Sequence, residues 1–263
     1  ITKVAPDGTT TTSWAQTGAR PLAIAIDASG NVYTANYTAS TITKVAPDGT
    51  TTRSWATTGA PPAGIAIDAS GNVYTANQGA NSITKVAPDG TTTTSWAQTG
   101  ARPEAIAIDA SGNVYTANYD ANTITKVAPD GTTTASWAAT DTGPRAIAFD
   151  ASGNVYTANW GAHSITKVTS GGTATASWAT TGARPEAIAI DASGNVYTAH
   201  QGSSTITKVA PDGTATASWA ATGAGPRAIA IDASGNVYTA NYTANTITKV
   251  APDGTTTTSW AQT

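Results

Sequence analysis

The chain has 263 residues, 40% hydrophobic and 11% charged, with 13 Lys and Arg against 16 Asp and Glu for a formal charge of −3. That is enough apolar material for the core of one β-rich domain. The sparse, slightly acidic charge argues against a nucleic-acid partner, the lack of an apolar run of about 18 residues argues against a membrane-spanning helix, and the absence of cysteine excludes disulfides and thiolate chemistry.

The first residues, Ile1-Thr2-Lys3-Val4, return at Ile42, Ile83, Ile124, Ile165, Ile206 and Ile247, so the chain repeats every 41 residues. A tryptophan keeps the same phase at Trp14, Trp55, Trp96, Trp137, Trp178, Trp219 and Trp260, with no insertion or deletion between copies. One repeat reads as four strands. Ala23 to Asp27 is a buried strand with Ala and Ile alternating, and Ala28-Ser29-Gly30 turns it. Asn31 to Asn36 is the second strand, followed by a loop from Tyr37 to Ser40. Thr41 to Ala46 is the third, turned by Pro47-Asp48-Gly49, and Thr50 to Ala56 is the fourth. Period-two alternation, β-branched and aromatic enrichment and Gly/Pro/Asp punctuation support each strand, and no segment has a helical period. The expected fold is all-β: a six-bladed β-propeller of four-stranded antiparallel blades. A solenoid would need polar capping units at its ends, and the end units here are as apolar as the middle ones.

The first and second strands occur six times, the third and fourth seven times. Residues 1–17 therefore form a surplus half-blade ahead of a propeller over 18–263, and they repeat residues 247–263 letter for letter. Two identical half-blades compete for one closure, so register is under-specified there and self-association through the surplus half is expected. Near-identical repeats point to recent amplification or deliberate design, and the absence of Met even at position 1 points to a processed or excerpted chain. Abundant Thr, Ala and Gly with little charge is a composition of secreted or surface bacterial proteins, which favours an extracellular place.

The string from Pro21 to Asn36 (Pro-x-x-Ile-Ala-Ile-Asp-x-x-Gly-Asn-Val-Tyr-x-Ala-Asn) followed by Ile42 to Gly49 (Ile-Thr-Lys-Val-x-Pro-x-Gly) resembles the NHL repeat and the wider group of streptogramin-lyase-like propellers. The resemblance covers nearly the whole chain. It implies a propeller that serves as a sensor or as a protein- or RNA-binding module, and in a few members as a lyase whose histidines gather with a metal at the channel mouth. Here the only histidines are His163 and His200, on adjacent blades with no carboxylate repeated beside them. No Ser-His-Asp set, phosphate loop or paired buried carboxylates can be assembled. The expectation is a non-catalytic scaffold or binding module with no cofactor, the alternatives being an extracellular glycan- or peptide-binding propeller and, third, a metal-dependent lyase.

Differences among the copies gather in two loops. After the second strand one position reads Tyr37, Gln78, Tyr119, Trp160, Gln201 and Tyr242, preceded by Asn36 and its equivalents, with His200 the exception. After the proline of the first strand another reads Leu22, Ala63, Glu104, Arg145, Glu186 and Arg227, and in three copies an arginine, Arg20, Arg102 or Arg184, stands just before that proline. Loops on a rigid scaffold carry function. The candidate ligand face therefore comprises Asn36, Tyr37, Gln78, Tyr119, Arg145, Trp160, His200, Gln201, Arg227 and Tyr242, for a carbohydrate or peptide. The bland readings are aromatic cover for the blade ends and blade-to-blade ion pairs of Glu104 with Arg145 and Glu186 with Arg227. The six aspartates from Asp27 to Asp232 read as turn caps rather than metal ligands. The threonine-rich fourth strand reads as a soluble edge, with an ice-binding array the weaker alternative.

Overall fold

The computed structural model describes all 263 residues, and every regular element in it is a strand. The surplus half-blade is β1 (Lys3–Val4) and β2 (Thr10–Thr11). Blade one is β3 (Pro21–Ile26), β4 (Val32–Asn36), β5 (Thr41–Val45) and β6 (Thr51–Thr57). Blade two is β7 (Pro62–Ile67), β8 (Val73–Asn77), β9 (Ser82–Val86) and β10 (Thr92–Gln98). Blade three is β11 (Pro103–Ile108), β12 (Val114–Asn118), β13 (Thr123–Val127) and β14 (Thr133–Ala139). Blade four is β15 (Pro144–Phe149), β16 (Val155–Asn159), β17 (Ser164–Val168) and β18 (Ala174–Thr180). Blade five is β19 (Pro185–Ile190), β20 (Val196–His200), β21 (Thr205–Val209) and β22 (Ala215–Ala221). Blade six is β23 (Pro226–Ile231), β24 (Val237–Asn241), β25 (Thr246–Val250) and β26 (Thr256–Gln262). Each blade is a four-stranded meander in sequence order, so the fold is a six-bladed β-propeller, while β1 and β2 form a two-stranded sheet of their own. β24 pairs with β25 and β25 with β26, so the C-terminal half-blade stays with its own blade.

The chain divides into two compact units, Ser13–Trp137 with Ile1 and Ala138–Thr263 with Thr2–Thr12. In the first, Tyr33, Ala35 and Ile42 of blade one pack with Ile65 and Val73 of blade two, and blades two and three repeat the arrangement through Tyr74, Ala76 and Ile106. Val32 and Val45 of blade one pack against Ile1, Trp14 and Ala15. In the second unit, Tyr156, Ala158 and Ile165 of blade four meet Ile188, Ile190 and Val196 of blade five. Blade five in turn meets Ile229, Ile231 and Val237 of blade six. Small Ala beside large Ile and Tyr lets neighbouring blades interdigitate, which is why the first strand alternates these residues.

Two turns define one end of each blade. Asp27 Oδ1 accepts the backbone N–H groups of Ser29 and Asn31, and its Oδ2 accepts the Asn31 amide at 2.8 Å and the Tyr33 hydroxyl at 3.0 Å. The pattern recurs at Asp68, Asp109, Asp150, Asp191 and Asp232. Gly30 lies against Pro47, so the two turns of a blade stand together. Gly90, at φ +90°, lies against the Trp55 indole of the preceding blade, where a side chain would have neither a favourable backbone nor room. The first strand begins at Pro21, two residues earlier than the alternation suggests, because a bulge at Leu22 interrupts the ladder between the Pro21 and Ala23 pairs.

Candidate functional site

The bulge in the first strand falls on the position that varies among the copies. The register skips Leu22, Ala63, Glu104, Arg145, Glu186 and Arg227 in turn. A bulged residue leaves the ladder and re-aims its side chain, a device common next to binding sites. The loop after the second strand is then tied to the loop before the first. Tyr37 N–H donates to the Arg20 carbonyl, Gln78 to Pro61, Tyr119 to Arg102, Trp160 to Gly143 and Tyr242 to Gly225, each at 2.8–2.9 Å. These bonds place the two variable loops of a blade side by side.

In the first unit, the Arg20 guanidinium lies 4.8 Å from the centre of the Tyr37 ring, and Arg102 lies 4.5 Å from that of Tyr119. The Tyr37 hydroxyl donates to Gln78 Oε1 at 3.1 Å, reaching from one blade to the next. Arg102 also pairs with Glu104 at 2.9 Å and lies 3.6 Å from Asp120. Tyr37, Gln78, Gly79, Asn81, Arg102 and Asp120 line a shallow hollow of about 270 Å³. A larger hollow of about 510 Å³ lies at the opposite blade ends, between the turns of Asp68 and Asp109, with Lys85 and Tyr74 on its wall.

In the second unit, Trp160 has two guanidinium groups near its ring, Arg145 at 5.6 Å and Arg184 at 5.0 Å from the ring centre. Its indole N–H donates to Glu186 Oε1 at 3.1 Å, and the same oxygen takes Arg145 at 2.8 Å. Glu186 is thus paired with an arginine of the preceding blade, not with Arg227. Arg227 instead stacks 4.0 Å from the Tyr242 ring, which is itself exposed. Gln201 is half-buried at the equivalent loop of blade five.

Asn36 and His200 are both 0% exposed. They project into their blades rather than into the loops. The Asn36 amide donates to Thr41 and Thr43 and its oxygen accepts from Thr34. His200 Nε2 replaces the amide, 3.0 Å from both Thr198 and Thr207. Burial, with a smaller contribution from His163, pushes its pKa down to about 4, so the ring is neutral at ordinary pH. His163 Nδ1 accepts the Arg184 backbone N–H at 2.9 Å. Both histidines are therefore built into the scaffold. They do not gather with acidic residues, and no cluster of three His, Asp or Glu able to hold a metal is present. The arrangement does not fit a metal-bearing lyase centre.

The aspartate turns follow the same logic. Burial pushes the Asp109 carboxyl up, but bonds from the Asn113 side chain, its backbone N–H and the Tyr115 hydroxyl outweigh it and leave the pKa below the usual carboxylate range. The lysines of the third strands in the six blades lie over a Tyr and a Trp, Lys44 at 5.5 and 5.4 Å, and brace the outer blade. Two contributors to the loop face, Asp120 and Asn81, are new. Asn81 Oδ1 accepts the Arg102 N–H, and Asp120 stands where other copies carry Thr or Gly, a difference visible by aligning the repeats.

A search of curated proteins finds no match. Among solved structures, virginiamycin B lyase from Staphylococcus aureus is similar at 17% identity, with a TM-score of 0.75 over 90% of this chain and 83% of that one. A catalytically inactive variant of that enzyme with quinupristin gives 0.76 at 16% identity over 98% and 86%. A chain of the nidogen/laminin complex gives 0.65 at 20% identity over 84% and 89%. At such identities these likenesses show the fold. Residues 1–250 match the sequence profile of the virginiamycin B lyase family, and the chain belongs to that family.

Proposed function

We propose that this chain is a non-catalytic binding module, and that its ligand sits on the loop face of the blades. The observation that carries the reading is the bulged position. In every blade the residue that varies most is the one lifted out of the strand ladder, beside an aromatic or amide residue that also varies. A constant scaffold with variable lifted side chains is the arrangement of a binding surface.

The chemistry offered is hydrogen-bonding and nearly neutral. In the first unit a phenol, an amide, a guanidinium and a carboxylate line a shallow hollow of about 270 Å³. Stacked rings with adjacent amides suit the hydroxyls and apolar faces of a glycan or the backbone of a peptide. The two histidines, which would have to act in a lyase, are engaged by Thr198, Thr207 and the Arg184 backbone.

The test is binding of the full chain to glycan and peptide arrays, with Tyr37→Ala and Gln78→Ala alongside. Retention of one ligand class that both substitutions weaken at least tenfold supports the reading. Turnover of quinupristin in the presence of divalent metal, lost on His200→Asn, would overturn it in favour of a lyase.

A further inference from the structure

We infer that the propeller carries a docking site for one further first-and-second-strand hairpin of its own repeat, seated on blade six beside the surplus half-blade. The argument rests on what covers each blade in the second unit. Tyr156, Ala158 and Ile165 of blade four are buried under Ile188, Ile190 and Val196 of blade five. Tyr197 and Ile206 of blade five are buried under Ile229, Ile231 and Val237 of blade six. In both cases the cover is two isoleucines from a first strand and one valine that opens a second strand.

Blade six has no such cover. Ala158 and Ala199 are fully buried, whereas their counterpart Ala240 is exposed. Tyr238 and Ile247 are only half-buried, whereas Tyr156, Tyr197, Ile165 and Ile206 are buried. The half-blade β1–β2 comes next to blade six, with Gly8 against Trp260 as Gly213 lies against Trp178 and Gly254 against Trp219. The half-blade thus takes the position of a following blade, but it lacks the two strands that would bring the isoleucines and the valine. Val4 is half-buried where Val209 and Val250 are fully buried.

The first unit, taken by itself, also has one exposed first strand. Ile65 and Ile106 are 8% exposed because the Tyr and Ala of a preceding second strand cover them. Ile24 is 55% and Ile26 65% exposed, and Leu22 of the same strand is 45% exposed. Three of the four large hydrophobic residues exposed on the whole chain therefore lie on β3.

The occupant is specified by the repeat: a hairpin with Ile-Ala-Ile-Asp on one strand, the Ala-Ser-Gly-Asn turn, and Val-Tyr-Thr-Ala-Asn on the other. Strand addition supplies affinity through main-chain bonds and specificity through alternate side chains. Burying each isoleucine adds the apolar term that every other blade already has.

The probe is a synthetic peptide with the sequence of Gly100–Asn118, titrated into the full chain, and a control peptide with both isoleucines changed to Asp. The expected result is saturable one-to-one binding, an upward Tm shift of about 2 °C or more, and slowed amide exchange at Tyr238 to Ala240, all absent with the control. Because free hairpins can self-assemble, a second protein carries the sequence of Gly100–Thr123 fused directly before Ile1. It is expected to melt higher than the parent, and the double-Asp fusion is not. A fusion no more stable than the parent overturns the inference. So does a parent that is a stable dimer with Ala240 protected, since a second copy would then be the occupant.

Discussion

His200 stands where five other blades carry asparagine, and the substitution has a pH signature. Its folded pKa of about 4 lies below the ordinary histidine value of 6.5 because burial disfavours the charged ring. The unfolded chain therefore binds the proton more readily. The stability from this group is complete above about pH 6.5 and is lost as pH falls toward 4, a loss on the order of 3 kcal/mol. His200→Asn, which restores the amide of the other copies, is expected to remove that part of the acid sensitivity. Urea unfolding of both proteins at about pH 7 and about pH 4.5 reads it directly. The aspartate turns act in a lower window. Their lowered pKa values hold stability above the ordinary carboxylate value of 3.8 and release it as pH falls below. Asp109→Ala removes acceptors for two backbone N–H groups, an amide and the Tyr115 hydroxyl, and is expected to cost roughly 1–3 kcal/mol in the same assay. That aspartate caps its turn is legible from its place before Ser and Gly. The bond to Tyr115 is not, because it needs the second strand folded back beside the first. In the same way the variable loop residues mark the site by their variation, whereas the inward turn of Asn36 and His200 depends on which face of the second strand they occupy.

At the scale of elements, alternation and turn residues placed all four strands of a blade to within two residues. The bulges were hidden, because Leu22 interrupts no hydrophobic pattern and Ser54 carries its left-handed backbone, at φ 50°, inside a run that reads as plain strand. Bulges of this kind add local twist to the strand that carries them. The surplus half-blade was legible as a count of strands, but its packing was not. In the first unit Ile1, Trp14 and Ala15 pack on Val32 and Val45, and in the second unit Gly8 lies against Trp260. Deleting residues 1–17 is therefore expected to lower stability by at least about 1.5 kcal/mol by uncovering the two valines, measured by urea unfolding. Light scattering on the same pair tests the proposed self-association. A full chain that is monomeric before and after the deletion would remove any role for the half-blade in assembly.

At the scale of the whole molecule, the puzzle is why one of two identical half-blades owns β24. Residues 1–17 and 247–263 have the same side chains, so packing energy cannot choose between them. Chain connectivity can. β25 follows β24 after the four residues Tyr242 to Asn245, whereas β1 lies more than two hundred residues away in sequence. Closing the longer loop costs about 3 kcal/mol more by the logarithmic dependence on loop length, which favours β25 by a factor of more than a hundred. The observed pairing of β24 with β25 agrees with that sign. The preference belongs to the covalent link and not to the sequence, so cutting the link should abolish it. With a protease site placed in the Tyr242–Asn245 loop, the intact protein is expected to ignore a labelled peptide of residues 246–263. After cleavage it should exchange its own C-terminal half-blade for the labelled one, followed by size-exclusion chromatography. Exchange without cleavage would mean that the tether does not set the register. Failure to exchange after cleavage would mean that packing on blade six, and not the tether, holds β25–β26 in place.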